Sequence, residues 1–173
     1  MTNNTLDLKT AHSQFTEYLD SRRRAAATIV AYSKDIEQLT TFLTNMGKKT
    51  INEITHDELE AFLKKLASDN YTPKSISRKI NSMKTFFRFL KASGAISIDP
   101  ALEIAHPKYE VKPPRILSKL EYRALRDACR ADVRMYAIVE LFLQTGLRIG
   151  ELATLTVSDV CDNELHLAAQ EGH

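Results

Sequence analysis

Residues 72–94 read TPKSISRKINSMKTFFRFLKASG, and this segment sets the architecture of the first half of the chain. Thr72 and Pro73 fit an N-cap followed by a first-turn proline, and Gly94 marks the end of the helix. The apolar side chains between them recur every three or four residues, which predicts an amphipathic helix with one buried stripe. That stripe consists of Ile76, Ile80, Met83, Phe87 and Leu90.

Three more helices are predicted on the N-terminal side of this segment. Apolar periodicity places them at about residues 7–24, 25–46 and 55–66. Thr55 and Glu58 have the spacing of a capping box, which marks the start of the third helix. Because no strand-like alternation interrupts the four helices, we predict a mainly α fold built on a four-helix bundle.

A proline-rich region follows the fourth helix. Four of the five prolines lie between residues 95 and 117, and the pair Pro113-Pro114 favours an extended, stiff segment. We interpret this region as the connection between two domains. The expected division is a first domain at residues 1–105, a linker at 106–117 and a second domain at 118–173.

The second domain is predicted to be α+β. Ser118 fits the N-cap of a first helix, and further helices are predicted at about residues 132–145 and 149–155. Two short β-like runs then flank a turn at residues 161–163.

Composition narrows the class of protein. The chain has 173 residues, a formal net charge of +2, 43% hydrophobic and 27% charged residues, which is too apolar for a disordered protein. Two widely separated cysteines and five scattered histidines argue against a disulfide scaffold or a metal site, so we expect no metal. No signal peptide and no apolar stretch of membrane-spanning length is present, so we expect a cytoplasmic protein.

The charges are unevenly distributed along the chain. Residues 70–98 contain six lysines and arginines and no acidic residue, a local charge of +6. Helical spacing places several of them opposite the buried stripe, where Arg and Lys could bind phosphate or guanine and Asn could pair with adenine. The alternative is a solvated surface helix. The candidate DNA contacts on this helix are Lys74, Ser77, Arg78, Asn81, Lys84, Thr85 and Arg88.

A second basic cluster lies at the junction of the first two helices. It consists of Arg22, Arg23 and Arg24, followed by Thr28. Two basic segments of one bundle could bind a DNA backbone together. Alternatively, the three arginines complement the dipole at the C-terminus of the first helix.

A short motif near the end of the chain contains a further candidate binding residue. Residues 144–152 read QTGLRIGEL, and Gly146 permits the tight reversal that ends the preceding helix. Arg148 then begins the next helix, and Glu151 lies three residues later, within reach of the guanidinium. A braced arginine of this kind suits a phosphate clamp, whereas the alternative is a structural Arg–Glu pair at a helix start.

Together these segments resemble a known family. Residues 141–160, LFLQTGLRIGELATLTVSDV, resemble the first conserved box of the tyrosine recombinase, or phage integrase, family, whose usual form is TGLR-x-x-EL-x-x-L-x-x-x-D. Thr28, Tyr32, Asp35 and Ile36 match the T-x-x-x-Y-x-x-D-I pattern of the family's N-terminal core-binding domain. Residues 75–101 and the linker also resemble that family, most closely its Xer-like members, so the resemblance covers essentially the whole chain.

The resemblance implies a fold, a partner and two site residues. It implies a SAM-like core-binding bundle at residues 1–105 and a truncated N-terminal part of an α+β catalytic domain at 118–173. The implied partner is a double-stranded DNA half-site, with homo-oligomers forming on DNA and with no membrane and no small-molecule cofactor. In the family, the arginine at the position of Arg148 binds the scissile phosphate, and Glu151 would support it. A tyrosine then attacks that phosphate to form a 3′-phosphotyrosyl intermediate.

The sequence also departs from the family pattern. A second arginine box, a further His or Trp and the nucleophilic tyrosine follow the first box in the family, whereas all six tyrosines here precede Arg148. The position of the family's hairpin lysine corresponds here to Ala169, Gln170 and Glu171. We therefore expect this chain to bind DNA half-sites without cleaving them. Two other hypotheses remain open: a natural DNA-binding competitor of a full-length recombinase, and a helical protein-interaction module that binds no nucleic acid.

Overall fold

The structure is a computed structural model that describes residues 6–110, 113–161 and 164–167. The described residues form two compact units, with the division between Glu110 and Val111. The first unit contains the predicted four helices, and the second contains three shorter helices and a pair of short antiparallel strands. Among the described residues, no helix is both long and apolar enough to cross a bilayer.

The first unit is a four-helix bundle, as predicted. Its helices are α1 (Leu8–Ser21), α2 (Ala26–Asn45), α3 (His56–Ser68) and α4 (Pro73–Ala92), and a 3₁₀ turn at Ile51–Glu53 precedes α3. Helix α2 contacts each of the other three, and α4 also contacts α1 and α3.

Side-chain caps define where these helices begin. The Asp7 carboxylate accepts the backbone N–H groups of Lys9 and Thr10 at 3.0 and 2.9 Å, and the Thr72 hydroxyl accepts that of Ser75 at 3.2 Å. Thr55 and Glu58 form the predicted capping box at the start of α3. Each cap satisfies amides that have no partner within the helix.

The end of α1 differs from the prediction. The helix stops at Ser21 instead of about residue 24, because Arg23 adopts a left-handed conformation with φ of +52°. The Arg24 N–H then donates to the Leu19 carbonyl and the Arg23 N–H to the Asp20 carbonyl, which is the Schellman pattern of a helix end. The three arginines therefore follow α1 and do not form its last turn.

The core of the first unit lies between the four helices. All five residues of the predicted α4 stripe are buried, and they meet Phe15 and Leu19 of α1. The rings of Phe15 and Phe86 pack edge to face with centroids 5.2 Å apart. Burying one such side chain contributes about 1.5–3 kcal/mol, so this core supplies most of the free energy that holds the bundle together.

The segment that follows α4 belongs to this core. Ile96, Ala101 and Ile104 are each less than one tenth exposed and pack with the bundle residues. These three residues lie within the first domain expected at residues 1–105, so the first part of the proline-rich region packs with the bundle. The apolar residues of this segment are irregularly spaced, so no helical period indicates their contacts, which form only in the folded bundle.

The second unit is smaller. It contains α5 (Lys119–Ala128), α6 (Val133–Thr145) and α7 (Ile149–Thr154), then a 3₁₀ turn and the antiparallel strands β1 (Val160–Cys161) and β2 (Glu164–Leu165). Ser118 and Glu121 form a capping box at α5, and Gly146, at φ of +70°, ends α6. No described residue of α5, α6 or α7 is fully buried.

Candidate nucleic-acid interface

The predicted contact residues of α4 lie on one face of the helix, opposite the core. Lys74, Arg78, Asn81 and Arg88 are exposed, whereas Ser77, Lys84 and Thr85 are half-buried. The helix rises 1.5 Å and turns about 100° per residue, so this face is about 21 Å long between Lys74 and Arg88. We call this surface, with the seven residues just named, the α4 face.

Two residues of the α4 face contact the segment that follows the helix. The Ser77 hydroxyl is hydrogen-bonded to Nδ1 of His106 at 2.9 Å, and the Lys84 ammonium donates to the Leu102 carbonyl at 3.4 Å. Thr85 donates to the Asn81 carbonyl within α4. The outer part of the α4 face is therefore formed by Lys74, Arg78, Asn81 and Arg88.

One of these residues, Arg78, is bound to an acidic side chain of the protein, a contact that the sequence patterns did not predict. The Arg78 guanidinium donates through both terminal nitrogens to the Asp35 carboxylate of α2, with Nη2 to Oδ1 at 3.0 Å. A helix face with charges of one sign is destabilised by repulsion unless an anion lies beside it. Here Asp35 supplies that anion from a neighbouring helix.

Asp35 is the centre of a buried polar cluster. Its carboxylate is 3% exposed and also accepts the Lys79 ammonium at 2.9 Å and the Ser82 hydroxyl at 2.7 Å. Lys79 is itself buried and donates to Oε1 of Gln38 at 2.6 Å. Burial of a carboxylate is unfavourable unless cations and hydrogen-bond donors surround it, and this group has both. We call Asp35, Arg78, Lys79 and Ser82 the Asp35 cluster.

Sequence reasoning missed Asp35 and Lys79 as structural partners, although one signal was available. Asp35 lies three residues after Tyr32 and four before Leu39, so helical spacing places it on the buried side of α2. A charged residue at such a position requires a partner of opposite charge. Residues 70–98, which include α4 and contain six lysines and arginines without an acidic residue, are a rich source of such positively charged partners.

The second basic cluster lies beside the same helix. The Arg22 guanidinium sits over the ring of Tyr18 at 5.5 Å from its centroid, and Tyr18 stacks on Phe89 of α4 at 4.8 Å. Arg23 and Arg24 are exposed, and Thr28 is half-buried in the first turn of α2. Arg22 is thus linked through two aromatic rings to α4.

The predicted pair in the second unit is in contact. The Arg148 backbone N–H and a terminal guanidinium nitrogen donate to the two oxygens of Glu151, at 2.7 and 2.9 Å. These two hydrogen bonds, the backbone one first, lower the pKa of the Glu151 carboxyl. The Arg148 side chain is 84% exposed, so Glu151 holds one edge of the guanidinium while its other donors face solvent.

Two further predictions concern residues at the end of the chain and metal binding. Ala169, Gln170 and Glu171, at the position of the family's hairpin lysine, lie outside the described residues. Within residues 6–110, 113–161 and 164–167, no group of three or more His, Cys, Asp or Glu side chains could hold a metal ion.

The chain matches one family model and many curated proteins. Residues 13–94 match the phage integrase N-terminal SAM-like domain. The chain is 32% identical over 146 residues to tyrosine recombinase XerC of Roseiflexus sp. (strain RS-1), covering 82% of this chain and 47% of that protein. It is 36% identical over 154 residues to a tyrosine recombinase of Thermosipho africanus (strain TCF52B), covering 84% and 53%. The chain therefore spans about half the length of these relatives.

Solved structures share the fold. A lambda integrase tetramer bound to a Holliday junction superposes with a TM-score of 0.81 at 24% identity, covering 99% of this chain and 50% of that one. A lambda integrase dimer bound to a COC′ core site gives a TM-score of 0.80 at 22% identity, with coverage of 99% and 48%. The match of residues 13–94 to the SAM-like domain and the similarity of most of the chain to curated tyrosine recombinases lead to one assignment: the chain belongs to the tyrosine recombinase, or phage integrase, family.

Proposed function

We propose that this chain binds duplex DNA through the α4 face, as the DNA-binding portion of a site-specific tyrosine recombinase. The observation that carries the proposal is the α4 face itself: a 20-residue helix buries its apolar stripe and presents cations and one asparagine on the other side. Lysine and arginine would bind phosphates, and Asn81 would pair with an adenine edge.

The basic cluster at Arg22, Arg23 and Arg24 would extend this interface. Arg22 is linked to α4 through Tyr18 and Phe89, so cations of the α1–α2 junction would lie next to the same duplex. Each phosphate that such a cation neutralises adds to the salt dependence of binding. Thr28 would donate a hydroxyl hydrogen bond to the same backbone.

The second unit would supply part of a catalytic site. We propose that Arg148 binds the scissile phosphate and stabilises charge in the transition state, and that Glu151 orients it. The open edge of the guanidinium supports this role, because a planar fork can donate two hydrogen bonds to a phosphate. Since all six tyrosines precede Arg148, the 173-residue polypeptide alone is expected to bind without cleaving.

The solved relatives suggest how the protein assembles. Lambda integrase has been crystallised as a dimer on a core site and as a tetramer on a Holliday junction. We propose that this protein likewise forms homo-oligomers on DNA. This would bring two half-sites together for strand exchange.

Fluorescence anisotropy with a labelled duplex library of randomised central sequence tests the proposal. Binding should weaken by at least about ten-fold between 50 and 200 mM salt, and selection should enrich a defined sequence. Absence of binding at low salt would instead favour a protein-interaction module. A covalent protein–DNA adduct on a nicked half-site duplex would contradict the expectation that this polypeptide does not cleave.

A further inference from the structure

The Asp35 cluster connects the interior of the first unit to the α4 face. Oδ1 of Asp35 accepts Lys79 at 2.9 Å and Arg78 Nη2 at 3.0 Å, while Oδ2 accepts Ser82 at 2.7 Å and Arg78 Nη1. The carboxylate thus receives four hydrogen bonds from three side chains of α4. All three lie more than 40 residues away in the sequence.

The two cations of this cluster differ in their surroundings. Lys79 is 8% exposed, whereas the Arg78 side chain is 48% exposed. The buried lysine already compensates the charge of the carboxylate from inside. The cluster as a whole carries a net charge of +1. Its buried cation is Lys79, and its partly exposed cation is Arg78.

The geometry of the contact restrains Arg78. Two parallel N–H···O bonds fix both the position and the plane of a guanidinium, which a single bond or a point charge would not do. A guanidinium has five N–H donors, and two of those of Arg78 are directed at Asp35, so three remain for another ligand on a side chain that is 48% exposed. An arginine held in this way loses less conformational entropy when it binds than one that is free in solvent.

We propose that Asp35 is a positioning residue of the DNA interface, which orients the Arg78 guanidinium so that its outer donors meet the duplex. This inference rests on the proposed DNA-binding function of the α4 face. It also gives a role to a carboxylate whose charge, by itself, would repel DNA.

Simple electrostatics and the positioning role make opposite predictions for Asp35→Asn. If Asp35 acts only through its charge, removing a negative charge beside the interface strengthens binding. If Asp35 positions Arg78, the neutral amide offers one acceptor where the carboxylate offered two, and binding weakens. Whether Asp35→Asn raises or lowers the affinity for DNA therefore distinguishes the charge effect from the positioning role.

A double-mutant cycle on the full 173-residue chain tests the proposal. Binding of a duplex selected by the wild-type chain is measured for Asp35→Asn, Arg78→Gln and the double variant. We expect Arg78→Gln to weaken binding about ten-fold and Asp35→Asn about three-fold or more. The double variant should match Arg78→Gln within about two-fold, because the two residues act through one contact.

Two control variants separate positioning from charge and from stability. Asp57→Asn removes an equal charge from an exposed position in the first turn of α3, and it should leave affinity unchanged or slightly raised. Ile80→Val lowers the stability of the α4 core without altering the Asp35 cluster, and its affinity should match that of the wild type. Circular dichroism confirms that each variant is folded at the assay temperature.

Three results would overturn the proposal. The first is that Asp35→Asn binds as tightly as the wild type or more tightly. The second is that the double variant, whose net charge equals that of the wild type, recovers wild-type affinity. If Asp35→Asn does not fold, Arg78→Lys replaces it, since lysine keeps the charge and loses the fork. Wild-type affinity of Arg78→Lys would then refute positioning. Failure of the wild-type chain to bind any duplex would refute the proposed function itself.

Discussion

Replacing Lys74 and Arg88 together by glutamine should reduce the salt dependence of DNA binding without affecting the fold. Both side chains are exposed and lie on the α4 face, about 21 Å apart along the helix axis. If each neutralises one phosphate, each contributes about 0.9 to the slope of log affinity against log salt. The double variant should therefore lose about two units of slope.

This slope change converts into an affinity change that is easily measured. Between 50 and 200 mM salt, the wild-type chain should lose about ten-fold more affinity than Lys74→Gln/Arg88→Gln. Anisotropy titrations at four or more salt concentrations give both slopes. Because neither side chain is in the core, the free energy of unfolding should change by less than about 0.5 kcal/mol.

A matched double variant distinguishes a local interface from a general charge effect. Lys9→Gln/Lys64→Gln removes two exposed lysines from α1 and α3, and both double variants reduce the formal net charge from +2 to 0. We expect the slope of this control to stay within about half a unit of the wild type. Equal slope losses in the two variants would refute a DNA interface at the α4 face.

Four further outcomes follow from the structure. Asn81→Ala should relax sequence preference more than it lowers affinity, and unchanged enrichment in a selection experiment would exclude base reading there. Hydrogen bonds from Lys48 and Thr55 lower the pKa of Glu58 to about 2, so Glu58→Gln should cost about 1–2 kcal/mol after solvent screening. That cost is present above pH 4.5 and should vanish as the pH falls towards 2, which urea unfolding at each pH measures. Phe87→Ala removes a 0% exposed ring and should lower the free energy of unfolding by about 3–5 kcal/mol; a loss below 1 kcal/mol would contradict the packing. Arg148→Ala should change affinity for intact duplex less than about two-fold, because its proposed role belongs to the transition state, whereas a ten-fold loss would place it in ground-state binding.

Much of the first unit could be predicted because its signals are local. The α4 stripe, the Thr72 cap and the glycine at position 94 lie within one helix length and specify one amphipathic segment. The ends of α1 and α3 were harder to place, because Arg23 and Asn70 adopt the left-handed conformation there without a glycine. Asparagine is a common alternative to glycine at this position of a helix end, whereas arginine is not.

The candidate interface was predictable in part. Residues were assigned to the α4 face from helical spacing, and the Arg148–Glu151 contact from a separation of three residues. The roles of these residues in binding and catalysis remain predictions. The Asp35–Arg78 contact joins residues 43 positions apart, and no periodicity within one helix specifies such a pair.

The sequence by itself determined the helices, the buried stripe of α4, the basic window and the arginine motif, because each depends on residues within a few turns of one another. Only the tertiary structure decided which cations of the window reach solvent. Packing of α2 against α4 buries Lys79 beside Asp35 and leaves Arg78 half-exposed on the same carboxylate. The physical reason is that the free energy of a buried charge depends on its neighbours in space, and folding brings those neighbours from distant parts of the chain.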